Sequence, residues 1–194
     1  FLVILWSQIM KVRKVKIVFV INNFFMGGVD RLMLDILSRL DKSKFSVEIV
    51  TVVGLGPLEE SFRRLGFPIY SVGQSFNQGK KLFSKVRWVI LAPLTLWRLV
   101  RLMKKSKPDL VLTSLYQADL LGILAAKIAR VRERIFIQHD VIYLPLVRRV
   151  FKRWLPIRLS TKVIAVSKTV RDFMINRWMV PLNKIVIVYN GVDF

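Results

Sequence analysis

His139 is the only histidine in the chain, and it directly follows a strand-like run, residues 134–138, with Asp140 beside it. An imidazole at the end of a strand can donate to a substrate hydroxyl or steady a charge that develops during reaction. A solitary histidine can equally be structural. Gly27 and Gly28 stand between a first apolar run and the start of a helical pattern. The first turn of a helix leaves N–H groups without acceptors at the positive end of the dipole, which favours an anion, and two glycines let a phosphate or sugar approach the backbone. The same pair also makes a plain tight turn. Asn190 and Gly191 end the last apolar run, and Asn-Gly marks a turn. Ser167, after a further strand-like run, is placed to cap the helix that follows it. Thiolate ligands and a cysteine nucleophile are excluded because the chain has no cysteine. Neither G-x-G-x-x-G nor G-x-x-x-x-G-K-[ST] occurs, so neither a dinucleotide site nor a nucleotide-hydrolysing loop is supported.

The elements that must hold these residues follow from hydrophobic periodicity. Residues 16–21 form a β-branched run suited to a strand buried on both faces. Val29, Leu32, Met33, Ile36, Leu37 and Leu40 then recur at helical spacing. Strands are expected at 45–53, 68–72, 110–113, 134–138, 162–166 and 184–188. Helices are expected from Leu58 to the stop at Gly66, and over 81–105, 118–129, 145–158 and 168–178. Pro93 lies inside the long helix and predicts a kink or break there. Strand and helix alternate throughout, which specifies an α/β, Rossmann-like parallel sheet with helices on both faces. Ligands of such sheets bind at the carboxyl ends of the strands, where His139, Gly27, Gly28 and Asn190 all fall.

With 194 residues the chain suits one domain, expected over 10–194, with residues 1–9 a non-native or disordered extension because Met10 opens the basic lead into the first strand. No apolar run is long enough to span a membrane. The absence of cysteine points to the cytoplasm. A net charge of +21 draws the protein to polyanionic surfaces. No acidic residue lies between Glu60 and Asp109, or from Val141 to Arg171. Basic residues in those windows interleave with Trp and Leu, which fits an interfacial helix on anionic lipid. The membrane-surface candidates are Arg98, Arg101, Lys104, Lys105 and Lys107, with Arg148, Arg149, Lys152 and Arg153. An ordinary amphipathic helix with solvated charges is the competing reading. Nucleic acid is not expected as a partner, because the aromatics sit in apolar runs rather than on a polar stacking platform.

Taken in order, several motifs carry a resemblance. They are Phe25-Met26-Gly27-Gly28-Val29-Asp30-Arg31, then Lys107-Pro108-Asp109-Leu110-Val111, Gln138-His139-Asp140 and Val163-Ile164-Ala165-Val166-Ser167-Lys168. The last runs from Lys184 through Tyr189-Asn190-Gly191-Val192-Asp193. Together they resemble the N-terminal domain of the group 1 family of retaining glycosyltransferases, whose GT-B architecture faces two Rossmann-like domains across a cleft. The resemblance implies that Gly27 and Gly28 line that cleft, that His139 faces the transferred sugar, and that Asn190 and Gly191 form the cleft edge. It implies a nucleotide-sugar donor, a glycan or lipid-linked acceptor, no metal and no further cofactor. Asp30 stands where the family commonly has Glu. The family's donor-binding second domain, with its Glu-x7-Glu motif, has no counterpart here, so the chain is expected to be an acceptor-side half, inactive without the other. The site expected is cytoplasmic, peripheral at the inner membrane face. A non-catalytic Rossmann-like module that docks on a membrane or a subunit is the alternative.

Overall fold

In the computed structural model the described residues are 13–73, 81–141, 147, 150–151 and 153–190, with the side chains of 81–89 and 153 left aside. Seven strands form one sheet: β1 Val15–Ile21, β2 Phe45–Thr51, β3 Ile69–Ser71, β4 Leu110–Ser114, β5 Glu133–Gln138, β6 Lys162–Ala165 and β7 Ile185–Ile187. Every neighbouring pair is parallel, in the order β3-β2-β1-β4-β5-β6-β7. The order reverses between β1 and β4, which opens the crevice where ligands of doubly wound sheets bind.

β1 shows why the sheet is two-sided. Val18, Phe19, Val20 and Ile21 are all buried, so both faces of the strand are covered and no polar alternation appears. Phe19 and Ile21 face α1 (Gly28–Ser38) and α2 (Glu59–Arg64), packing with Phe24, Met33, Leu37 and Phe62. Val18 and Val20 face α3 (Lys81–Ser106) and α4 (Tyr116–Ile128), packing with Leu99, Met103, Leu121 and Ala125. A third cluster joins Phe136 and Val163 to α5 (Lys168–Trp178), where Trp178 is buried edge-on against Phe173. Each such side chain taken out of water contributes about 1.5–3 kcal/mol.

The expected elements are present, with boundaries moved by a residue or two. The exception is α3, which runs through Pro93 without a break. Proline deprives a helix of one hydrogen bond, at about 3 kcal/mol. Here Leu99 and Met103 are wholly buried against the sheet and the Thr95 hydroxyl donates to the Leu91 carbonyl, so tertiary packing outweighs the loss. Five residues of the helix expected at 145–158 lie outside the described residues; the others are helical, with a π-helical turn, Arg153–Ile157, that contains Pro156. Lys184 closes that segment, its Nζ donating to the carbonyls of Ile157, Arg158 and Ser160. Burial, with the Arg134 charge adding to it, lowers the Lys184 pKa.

Candidate functional site

At the carboxyl edge of the sheet, register aligns three strands. Ile21 of β1 pairs with Ser114 of β4, which pairs with Ile137 of β5. His139 therefore emerges two residues beyond that row, half-buried, with Nε2 and the Ser114 Oγ 3.0 Å apart in a hydrogen bond whose donor depends on the tautomer. Ser114 is fully buried, so a rigidly placed group on the neighbouring strand holds the ring. The buried Gln138 side chain donates to the backbone carbonyl and carboxylate of Asp140, which holds the turn after β5.

Leu115 follows Ser114 with φ 78° and ψ 153°, a conformation nearly reserved for glycine and costing a leucine about 1–3 kcal/mol. It is also the N-cap of α4 and has no side-chain oxygen for the task. Asn22, just past β1, takes it over: its Oδ1 accepts from the Ala118 N–H at 2.9 Å and its Nδ2 donates to the Gln117 Oε1. A step below, the Thr113 hydroxyl donates to the buried Asp119 carboxylate at 2.7 Å. The α4 N-terminus at the strand-order reversal is thus already engaged by protein groups.

The α1 N-terminus differs. Gly27 is its N-cap in an extended conformation, and the Asp30 Oδ2 reaches back to accept from the Gly27 N–H at 3.3 Å. Asp30 is only 3% exposed, and burial outweighs its two backbone hydrogen bonds, so its pKa is raised above 3.8. A side-chain carbon added at Gly27 would meet that carboxylate at 3.1 Å. One added at Gly28 would meet nothing within 4 Å. Neither glycine has positive φ. Hence Gly28 is required neither by backbone conformation nor by packing, and the space before it is open for a ligand at a helix end that favours anions.

Of the sequence candidates, Gly27 and Gly28 follow the carboxyl end of β1 and His139 that of β5, with β4 between the two strands. Asn190 is exposed on the same edge past β7, where the Val188 N–H still bonds the Ala165 carbonyl of β6. Gly191 lies outside the described residues, as do Arg148, Arg149 and Lys152, and the Arg153 side chain is not described. Lys104, Lys105 and Lys107 are exposed, and Arg101 stacks on Trp97. Arg98 is only partly a surface cation, because its Nη1 donates to the Val72 carbonyl and ties α3 to the end of β3. Ser167 caps α5, accepting from the Val170 N–H at 3.1 Å. Sequence reading missed Asn22, Ser114, Leu115 and Gln117. Their only trace was polarity at the ends of two apolar runs, Asn22-Asn23 and Thr113-Ser114.

Several solved structures are similar to this fold. A HepE protein from Anabaena, determined with UDP and glucose, superposes with TM-score 0.70 at 21% identity over 92% of this chain and 45% of that one. A glycosyltransferase from Rickettsia africae gives 0.67 at 20% identity, over 93% and 44%. A UDP-GlcNAc 2-epimerase from Methanocaldococcus jannaschii gives 0.58 at 18%, over 90% and 45%. The chain thus spans less than half the length of these proteins. No curated protein sequence matches it. The sequence pattern of glycosyltransferase family 4 matches residues 26–194, which is nearly the whole chain and takes in Gly27, Gly28, Ser114, His139 and Asn190. The chain belongs to glycosyltransferase family 4, and what it holds is the Rossmann-like N-terminal half of a GT-B fold.

Proposed function

We propose that the protein transfers a sugar, with retention, from a nucleotide-sugar donor to a glycan or lipid-linked acceptor, and that this chain is the acceptor-side half, inactive without a donor-binding half. No metal or further cofactor enters this reading. His139 is the observation that carries it: a half-buried imidazole at the carboxyl end of β5, its Nε2 bonded to a buried serine on β4. Held there, the ring can hydrogen-bond a hydroxyl of the transferred sugar and stabilise charge as the bond to the diphosphate breaks. Gly27 and Gly28 supply close approach and a dipole favourable to the diphosphate or acceptor, and Asn190 with Gly191 forms the cleft edge.

Epimerases share the fold, so the fold alone does not select transfer; membership of a glycosyltransferase family favours it. The alternative of a non-catalytic docking module has no observation in its favour. A cytoplasmic protein held at an anionic inner membrane face completes the reading, supported by the charge of +21 and by exposed tryptophans beside arginines. Among the described residues no helix is long and apolar enough to cross a membrane.

The test is His139→Ala in the full-length protein, assayed for sugar transfer from candidate nucleotide sugars. A loss on the order of 100-fold or more in kcat, with unchanged thermal unfolding, is expected. Turnover within a few-fold of the parent would remove His139 from the mechanism.

A further inference from the structure

The long helix α3 carries two apolar stripes where one would suffice to pack it. Thr95, Leu99 and Met103 are buried against the sheet. Ile90, Leu94 and Trp97 are 69%, 40% and 54% exposed, and Arg101 continues their line. At 3.6 residues per turn these four fall within roughly 60° of one another, on the side opposite the buried stripe. A helix that only covered a sheet would carry polar residues there.

The same arrangement recurs on the other flank of α4. Val150, Phe151 and Trp154 are exposed, and the Arg158 guanidinium lies 6.0 Å from the Trp154 ring centroid, as that of Arg101 lies 5.4 Å from Trp97. Both α3 and the π-helical turn pack on α4, so the two Trp–Arg pairs belong to one helical layer on one face of the sheet. Beside the α3 stripe runs a groove of about 430 Å³ lined by Lys16, Glu48, Tyr70, Trp97, Arg101 and Lys105. Among the described residues that line it the one carboxylate, Glu48, is paired with Lys16 at 2.9 Å, and none of them supplies a carboxylate to Arg101 or Lys105 at the rim.

We infer that this helical layer is the membrane-contact surface of the protein, the α3 stripe entering the lipid interface and the adjoining groove seating the phosphate of an anionic phospholipid headgroup. The inference rests on the peripheral-membrane reading above and commits it to one face. Charge complementarity selects lipid as the occupant: the segment from 61 to 108 holds no acid, and tryptophan with aliphatic residues between cations is what an anionic interface takes up. A surface facing water or nucleic acid gains nothing from Ile90 and Leu94.

The experiment measures binding of the full-length protein to phosphatidylcholine vesicles with and without phosphatidylglycerol. Three exposed-site variants are compared: Leu94→Ser/Trp97→Ser, which keeps the charge; Arg101→Gln/Lys105→Gln; and Arg31→Gln/Arg39→Gln at α1, a charge-matched control on the opposite face of the sheet. Binding only to the anionic vesicles is expected. The first variant should lose roughly tenfold or more, the second about 30-fold, and the control several-fold less than the second. Because the chain has no cysteine, Leu94→Cys carries a single environment-sensitive dye, whose emission should shift to the blue on vesicles. Wild-type-like binding by the first variant, with no dye shift, overturns the inference and leaves a membrane attraction spread over the whole cationic surface. Absence of binding by the unaltered protein overturns the inference together with the peripheral-membrane reading.

Discussion

Two residues at the head of α1 can be separated into structural and functional roles by substitution. Gly28 has open space where a side chain would stand and an ordinary backbone conformation, so Gly28→Ala should leave the melting temperature within a degree or two of the parent, or raise it slightly through helix propensity. If the diphosphate or acceptor comes against this backbone, the same methyl should weaken substrate binding on the order of tenfold, read as a rise in KM of the full-length enzyme. Unaltered KM would make the pair a plain turn. Asp30 is different, being buried with its pKa raised above 3.8 by desolvation. The folded state then takes up a proton before the unfolded state does, so the stabilisation is complete below 3.8 and is lost as pH rises through the folded value. Asp30→Asn keeps an acceptor for the Gly27 N–H but cannot titrate. Its stability relative to the parent should be greatest near neutral pH and shrink steadily as pH falls toward 3.8, in denaturant titrations at several pH values. A constant difference would show that Asp30 carries no such shift.

At the scale of elements, the crevice is positioned by how closely α4 lies on β1 and β4. Gly122 makes that approach possible: a side-chain carbon there would come within 2.8 Å of the Thr113 methyl and 3.3 Å of Val20. Thr113 is fully buried and tied to Asp119, so it has little room to yield. Gly122→Val should therefore destabilise the protein on the order of 2 kcal/mol, seen as a lower denaturation midpoint. It should also disturb the strand-end network of Asn22, Ser114 and Leu115. A midpoint equal to that of the parent would show that α4 can slide away from the sheet. The strain at Leu115 belongs to this scale too, because the turn from β4 into α4 is held by Asn22 from another strand and not by a local cap.

At the scale of the molecule, the chain covers less than half of each similar solved protein, and the proposed reaction needs the rest. Isothermal titration with UDP should show binding to the full-length protein. For residues 13–190 by themselves it should show none, or binding weaker by on the order of 100-fold, since in the proposed reading the nucleotide itself is held by the other half and this chain meets only the diphosphate and the sugar. Equal affinity in the two would move the nucleotide site onto this chain. The +21 charge acts at the same scale. Glu59 and Glu60 neutralise Arg63 and Arg64 on α2, whereas the cations of α3 lie beside an outward apolar stripe.

Strand positions, the parallel sheet and the strand-end location of His139, Gly27 and Gly28 were legible in the sequence. They follow from local periodicity and from the rule that crossovers in such sheets are right-handed. Ser167 was legible as a cap for the same local reason. The continuity of α3 through Pro93 was not, because propensity argues for a break and only burial of Leu99 and Met103 against a distant sheet overrides it. Nor were the clamp of Ser114 on His139, 25 positions apart, or that of Asn22 on the α4 N-terminus, 96 positions away. Hydrogen bonds between residues so far apart leave no periodic signal. By itself the sequence determined which residues stand at the carboxyl ends of strands, since alternation is local. Only the tertiary structure decided which of them meet, and which side of α3 turns outward, since both depend on the order in which strands join the sheet.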